Sequence, residues 1–359
     1  MRYLLFIFFL LCYQRTIAQS NTTGTPKTIE NDWPVADLNS QGFDDTLFRR
    51  FLEEIDTQKH KLHSMLVIRH GQLVFESYFN GQSASDEHDI RSVSKSIISL
   101  LTGIALENGR MPQLNETLDP KLNFFSNAKN YDPRKDEISY QHLLTMSTGL
   151  DCNDGDPKSK GQEDKLYRKK HWRDDFASLP MINNPGDTSL YCTGGVMLLA
   201  HVLEIYNGMA MPLLAEETLF KPLGISQFSS GHTKSKPMPT ETHRFYMRPR
   251  DMAKIGQLVL NKGLWEGKQV VPESWIEEIA QPKVKLGGRD YSYLWWQYHF
   301  QKDGKTYTAI AASGNGGQYI LAFPELDMVA VFTGGAYNSP EARLPLVIVN
   351  RIILPSLRL

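Results

Sequence analysis

Ser92-Val93-Ser94-Lys95-Ser96-Ile97-Ile98-Ser99-Leu100-Leu101-Thr102-Gly103-Ile104-Ala105-Leu106-Glu107 decides how the rest of the chain is read. Ile97, Ile98, Leu100, Leu101, Ile104 and Ala105 place apolar groups on nearly every side of a helix, which describes a buried helix from Ser96 to Glu107, ended by Gly109. At its start stands an S-x-x-K. Positions three apart share a helix face with Cβ atoms about 5–6 Å apart, so Lys95 can reach the Ser92 hydroxyl. A lysine amine in a desolvated pocket beside other cations loses its charge easily enough to take a serine proton. The helix start adds unpaired N–H groups that favour developing negative charge. Taken alone, Ser92 reads equally well as a capping serine with a surface lysine. A second S-x-x-K, Ser126-Asn127-Ala128-Lys129, lies in a polar stretch with no apolar helix to bury it and is a chance copy.

Upstream, Leu47, Phe48, Phe51, Leu52 and Ile55 recur at helical spacing and predict an amphipathic helix over 44–58. The β-prone runs Met65 to Arg69 and Leu73 to Phe79 flank His70-Gly71, a hairpin signal. Downstream, residues 110–245 carry helical segments separated by Pro, Asp, Asn and Gly. Helical spacing returns in 250–262 and 273–280, β-prone runs follow at 306–313, 317–323 and 327–333, and a helix over 340–353 comes last. Strands near both ends with helices between them predict an α+β fold, an antiparallel sheet from both chain ends flanked by helices. The expected partition is one catalytic domain over 19–359, with a sheet subdomain of about 33–95 plus 246–359 and a helical subdomain of about 96–245.

The chain has 359 residues, 41% hydrophobic and 22% charged, the proportions of a folded globular protein. With 39 basic against 40 acidic side chains it offers no polybasic face, which excludes nucleic acid as an expected partner. Residues 1–18 read as a signal peptide: Arg2, an apolar run from Tyr3 to Tyr13, then Thr16-Ile17-Ala18 before a cleavage point. That run is shorter than the roughly 20 residues that span a bilayer, and no later stretch approaches the length. The expected product is exported, periplasmic or secreted, with no membrane span after cleavage near Ala18. Its two remaining cysteines, Cys152 and Cys192, are disulfide candidates in an oxidising compartment, two free thiols being the alternative. No C-x-x-C or H-E-x-x-H occurs, so no metal site is expected.

Two further segments carry chemistry. Pro185-Gly186-Asp187-Thr188-Ser189-Leu190-Tyr191-Cys192-Thr193-Gly194-Gly195 sets Tyr191 in a loop just before an apolar helix, where a phenol can relay a proton between serine and leaving group. Ser313-Gly314-Asn315-Gly316-Gly317-Gln318 opens a β-prone run whose glycines let substrate approach the backbone and whose free N–H can complete an oxyanion hole, a β-bulge being the other reading. The polar segment 151–175, with Asp151, Asp154 and Asp156, is expected to border the cleft. Trp295, Trp296, Tyr291 and Tyr293 form an aromatic cluster that can wall an acyl or leaving-group pocket or simply pack in the core.

In this order the three segments resemble the serine β-lactamase and penicillin-binding-protein superfamily, in its class C-like branch, which includes β-lactamase-like esterases and 6-aminohexanoate-dimer hydrolases. Ile138 to Leu150, Pro222-Leu223-Gly224-Ile225, Arg248 to Lys254 and Tyr293-Leu294-Trp295-Trp296 are similar to its other landmarks. The resemblance implies the serine β-lactamase/DD-peptidase-like fold and acylation of Ser92, with Lys95 and Tyr191 as a coupled base pair. It further implies backbone N–H groups of Ser92 and Gly317 as oxyanion donors and no cofactor. Thr193, Asn315, Gly316, Gln318 and Trp295 are then the expected substrate contacts, for a small-molecule ester, amide or peptide. Two positions depart from the pattern: Thr193 replaces the asparagine two places after the tyrosine, and Gly314 replaces the Lys or His leading the third motif. Both departures favour an esterase or amidase over a β-lactamase or a D-alanyl-D-alanine carboxypeptidase, and the intact Ser92, Lys95 and Tyr191 argue against the remaining alternative, a non-catalytic binder of cell-wall peptides, which needs no activated nucleophile. An α/β-hydrolase needs G-x-S-x-G, which does not occur.

Overall fold

The computed structural model describes residues 24–28, 32–118, 122, 124–126, 128–233, 236–237 and 244–358. The expected signal peptide lies outside the described residues. Eight strands form one antiparallel sheet: β1 (Leu62–Arg69), β2 (Gln72–Tyr78), β3 (Val284–Leu286), β4 (Arg289–Ser292), β5 (Trp295–Lys302), β6 (Lys305–Gly314), β7 (Gln318–Phe323) and β8 (Met328–Gly334). Their spatial order is β3-β4-β5-β6-β7-β8-β1-β2, so the first hairpin docks on the last strand. Met65 faces Phe332 and Val67 faces Ala330 across that junction. The hairpin turn is made by His70 and Gly71, both at positive φ, a conformation glycine adopts without penalty.

Alternation along the strands sends side chains to two faces, and each face is buried under its own helices. On one side Leu66, Ile68, Ile320, Val329 and Val331 meet the helices α2 (Val93–Glu107), α6 (Thr193–Asn207) and α8 (Pro249–Leu260). On the other, Met65, Val67, Leu321, Ala330 and Phe332 meet α1 (Asp45–Asp56) and the C-terminal helical segment 344–356. Close packing of α8 depends on Gly256, where a Cβ would stand 2.5 Å from Val329. Arg250 of α8 fastens this layer through a two-pronged ion pair with Glu76 of β2 (2.8 and 2.6 Å) and a third bond to Asp32 (2.8 Å).

Between α2 and α8 lie the short helices α3 (Tyr140–Leu144), α4 (Glu163–Leu166) and α5 (Trp172–Ala177), joined by long loops, then the 15-residue α6 and the short α7 (Met211–Ala215). The helices expected over 44–58 and 96–107 and the hairpin are present, α2 starting at Val93, directly after Ser92. Strands β3 to β5 were not anticipated. Their runs mix charged and aromatic residues, as in Arg289-Asp290-Tyr291-Ser292, because they form the sheet's outer end. No single helix among the described residues is long and apolar enough to cross a membrane.

Candidate active site

Ser92 is the residue before α2, and its hydroxyl makes no capping hydrogen bond. That disposes of the capping reading. Lys95, one turn on and buried, donates from Nζ to Ser92 Oγ at 3.0 Å. The backbone just ahead is forced: Arg91 sits at φ 53°, a region that costs a non-glycine residue about 1–3 kcal/mol. Asp89 holds it there, accepting from the Arg91 N–H at 3.0 Å and pairing with its guanidinium, which also lies 4.5 Å from the Tyr337 ring.

Tyr191 reaches the same point from the start of α6. Its hydroxyl is in hydrogen-bond contact with Ser92, its ring stacks on Trp296 (5.9 Å between centroids), and Lys95 Nζ lies 5.2 Å from the ring centre. Burial raises the phenol above its usual range, while the charge of Lys95 and the bond to Ser92 pull it back. Two helix N-termini therefore start beside the serine, and their partial positive charge favours an oxyanion there.

Cys152 and Cys192 are joined in a disulfide, with Cα atoms 5.3 Å apart. The bridge anchors the loop between α3 and α4 against the Tyr191 segment. From that loop Asp154 donates its N–H to the Tyr191 carbonyl (2.8 Å) and accepts from Thr193 N–H (2.8 Å), Thr193 Oγ1 (2.6 Å) and Glu163 N–H (3.0 Å). Burial pushes the Asp154 carboxyl up to about 6, with Lys95 opposing and the charge of Glu163 assisting. Asp154 was read only as part of a cleft-bordering segment, and Glu163 was missed: nothing local in the sequence marks a carboxylate that the fold carries to a serine some 60–70 positions earlier in the chain.

Two spaces open beside Ser92. An inner cavity of about 40 Å³ is lined by Ser92, Lys95, Glu163, Tyr167, Thr193 and Asn315. An outer cleft of about 600 Å³ is lined by Ser92, Tyr191, Trp296, Tyr298, Asn315 and Tyr319, with Arg289 and Arg343 at its rim. Ser92, Lys95, Tyr191, Thr193 and Asn315 thus come together as expected, although the Thr193 hydroxyl is turned to Asp154, and the Asn315 carboxamide is tied to Asn338 (2.7 and 2.9 Å).

Four expectations need correcting. Trp295 is fully buried in the core, and its neighbour Trp296 faces the cleft, because adjacent strand residues point to opposite faces. Gln318 is fully buried, its carboxamide spent on the Gly334 carbonyl (2.5 Å) and N–H (3.2 Å), where it extends the strand ladder. Gly316 bridges to Ala336, and a Cβ on it would fall 2.6 Å from Tyr337, so it serves the turn and lines neither space. Gly317 faces Ala342 and Gly334, also outside both spaces. Within that turn Gly314 and Asn315 stand at the nucleophile, Gly314 so near that a Cβ would lie 2.5 Å from the Ile90 carbonyl.

A search of curated proteins finds the 6-aminohexanoate-dimer hydrolase of Paenarthrobacter ureafaciens similar, 23% identical over 305 residues, covering 78% of this chain and 74% of that protein. Among solved structures, a putative 6-aminohexanoate-dimer hydrolase from Bacillus anthracis superposes with TM-score 0.66 at 23% identity, covering 91% of this chain and 87% of that one. EstCE1, a hydrolase with promiscuous acyltransferase activity, superposes with TM-score 0.67 at 16% identity, covering 84% and 95%. The family model described as Beta-lactamase matches residues 47–346, a span that holds the serine, the lysine, the tyrosine and the glycine-rich turn, and the chain belongs to that family of serine hydrolases.

Proposed function

We propose that the protein is an exported hydrolase that opens a small amide or ester through an acyl-enzyme on Ser92. The observation that carries this reading is the 3.0 Å contact from Lys95 to Ser92 Oγ, with Tyr191 against both, at the mouth of an open cleft. Ser92 passes its proton to the Lys95–Tyr191 pair as Oγ attacks the carbonyl carbon. The oxyanion that forms points to the backbone N–H groups of Ser92 and Asn315, the latter taking the place first given to Gly317. Collapse breaks the bond to the leaving group, which takes the proton back from the pair and departs as amine or alcohol. Water then repeats the sequence on the acyl-enzyme: its proton goes to the pair, its oxygen to the acyl carbon, and Ser92 recovers its hydrogen.

Arg289 and Arg343 flank the outer cleft with no carboxylate partner among the described residues. This supports a linear substrate carrying a carboxylate away from the scissile bond, as does similarity to proteins named for hydrolysis of 6-aminohexanoate dimer. Support for export comes from the apolar run at 3–13 and from the paired cysteines.

The test is intact-mass spectrometry of the protein and of Ser92→Ala after a fluorophosphonate, beside turnover of a p-nitrophenyl ester, a linear ω-amino-acid dimer and a chromogenic cephalosporin. One adduct and ester or amide turnover, both lost in Ser92→Ala, is the expected result. Cephalosporin turnover without the others makes it a β-lactamase; no adduct on folded protein refutes hydrolysis through Ser92.

A further inference from the structure

We propose that Asp154 is a positioning residue of the reaction: as a carboxylate it holds the Tyr191–Thr193 segment, through the Thr193 N–H and hydroxyl and through its own N–H to the Tyr191 carbonyl, and so keeps the Tyr191 phenol directed at Ser92. The inference rests on the proposed acylation of Ser92 and adds a residue from outside the three motifs.

The hydrogen bonds to Asp154 fix its chemistry. Oδ2 receives two donors, Thr193 N–H and Oγ1–H, and Oδ1 receives a third, Glu163 N–H. Every group aimed at its oxygens is a donor, which an ionised carboxylate accepts at both atoms. An asparagine would turn its NH₂ against one set of donors. Thr193 has a single proton, and at 2.6 Å it belongs to Asp154; Glu163 Oε2, 3.3 Å from the same hydroxyl, takes the Tyr167 hydroxyl at 3.2 Å. Thr193 therefore offers the inner cavity lone pairs only. It stands where the related motif carries an asparagine, and the polar group behind it is Asp154.

A carboxylate in this low-dielectric setting needs a counter-charge. The charged and titratable groups around it are Lys95 from α2, Glu163 from α4, Tyr167 just after α4, Tyr191 ahead of α6, and Arg244 ahead of the strand Phe245–Met247. Glu163 adds a second negative charge, Arg244 lies 5.9 Å from the Tyr167 ring and pairs with Asp89, and Lys95 is the cation that borders the serine. Ionised Asp154 gathers the Thr193 and Glu163 donors behind Tyr191. Its protonation sets an O–H against one of those donors, and Tyr191 loses the support that directs its phenol at Ser92.

The experiment measures fluorophosphonate labelling rate and ester kcat/KM from pH 4.5 to 9 for wild type, Asp154→Asn, Asp154→Glu and Thr193→Val, with Ser92→Ala as reference. Wild type is expected to lose activity below an acid limb near 6, the value to which burial raises Asp154. In Asp154→Asn that limb disappears and the plateau kcat falls by about 10- to 100-fold with KM little changed, the size of effect that misplacing a catalytic group produces. Thr193→Val, which keeps the carboxyl but strips one donor from its anion, moves the limb to higher pH, and Asp154→Glu restores a limb. A wild-type limb and kcat in folded Asp154→Asn overturn the role of Asp154 while leaving Ser92 in place. Should Asp154→Asn fail to fold, an unmoved limb in Thr193→Val overturns it equally. Labelling that persists in Ser92→Ala overturns the acylation reading itself.

Discussion

Removing the Cys152–Cys192 bridge tests how the Tyr191 loop is held. The cysteines are 40 residues apart, and closing a loop of that length takes about 4 kcal/mol of entropy from the unfolded chain at 25 °C. Unfolding entropy near 60 °C is about 2.1 cal/mol/K per residue, roughly 0.75 kcal/mol/K for 359 residues, so the bridge is worth about 5 °C in Tm. Catalysis is coupled to the same change, because Asp154 follows Cys152 by two positions and bonds the carbonyl of Tyr191, the neighbour of Cys192. A loop free to shift by an ångström there costs on the order of 100-fold in kcat at most, and about 10-fold is expected since the backbone bond survives. The assay is calorimetric unfolding and ester hydrolysis of wild type and Cys152→Ala/Cys192→Ala, each with and without a reductant. Reductant should lower the wild-type Tm by about 5 °C and leave the double variant unmoved. Equal Tm and equal kcat/KM in all four samples refute the bracing role.

Three further outcomes are expected. Gly314→Ala drives a Cβ to 2.5 Å from the Ile90 carbonyl, two residues before the nucleophile; hydrolysis should fall about 100-fold for a stability loss of only about 1–3 kcal/mol, read by kinetics and urea unfolding. Arg250→Ala strands Glu76 and Asp32 in a buried site and should cost about 3–5 kcal/mol in the same unfolding assay, far from the cleft. The carboxyl of Asp154, raised by burial to about 6 from 3.8, keeps its proton in the folded protein where the unfolded chain has lost it. Stability should therefore fall as pH rises from about 4 to 6, by about 3 kcal/mol, and Asp154→Asn should flatten that slope in unfolding measured across the range.

What the sequence carried was local. The helix after Ser92, the first hairpin and the strands 306–333 are written in apolar periodicity and turn residues, and structure repeats them. The S-x-x-K spacing at the start of a buried apolar helix put Lys95 within reach of Ser92, since one helical turn is a fixed distance, and the other two motifs were needed to set aside a capping serine. Strands β3 to β5 escaped because charged and aromatic residues interrupt their alternation, β3 at the free edge and β4 and β5 paired on both sides. For Trp295 and Trp296 the choice of face depended on register, and a shift of one residue exchanges them. Gln318 and Gly317 misled for the opposite reason: a polar or flexible residue beside a nucleophile motif looks available, yet Gln318 ties β7 to β8 and Gly317 belongs to the turn that joins β6 to β7. Asp154 and Glu163 were beyond reach because their meaning lies in distance through space to Lys95, set by a disulfide and a loop.

The junction of β1 with β8 also dictates when the molecule can form. Ser64 and Thr333, hydrogen-bonded at 2.6 Å across that junction, are 269 positions apart. At a synthesis rate of about 5–20 residues per second, roughly 15 to 50 s pass before the hairpin's inner edge has a partner. Contacts of such long range also slow folding once the chain is complete. The hairpin of β1 and β2 thus waits as an unfinished sheet with one long apolar strand open. The fold is sealed only when its last strand arrives.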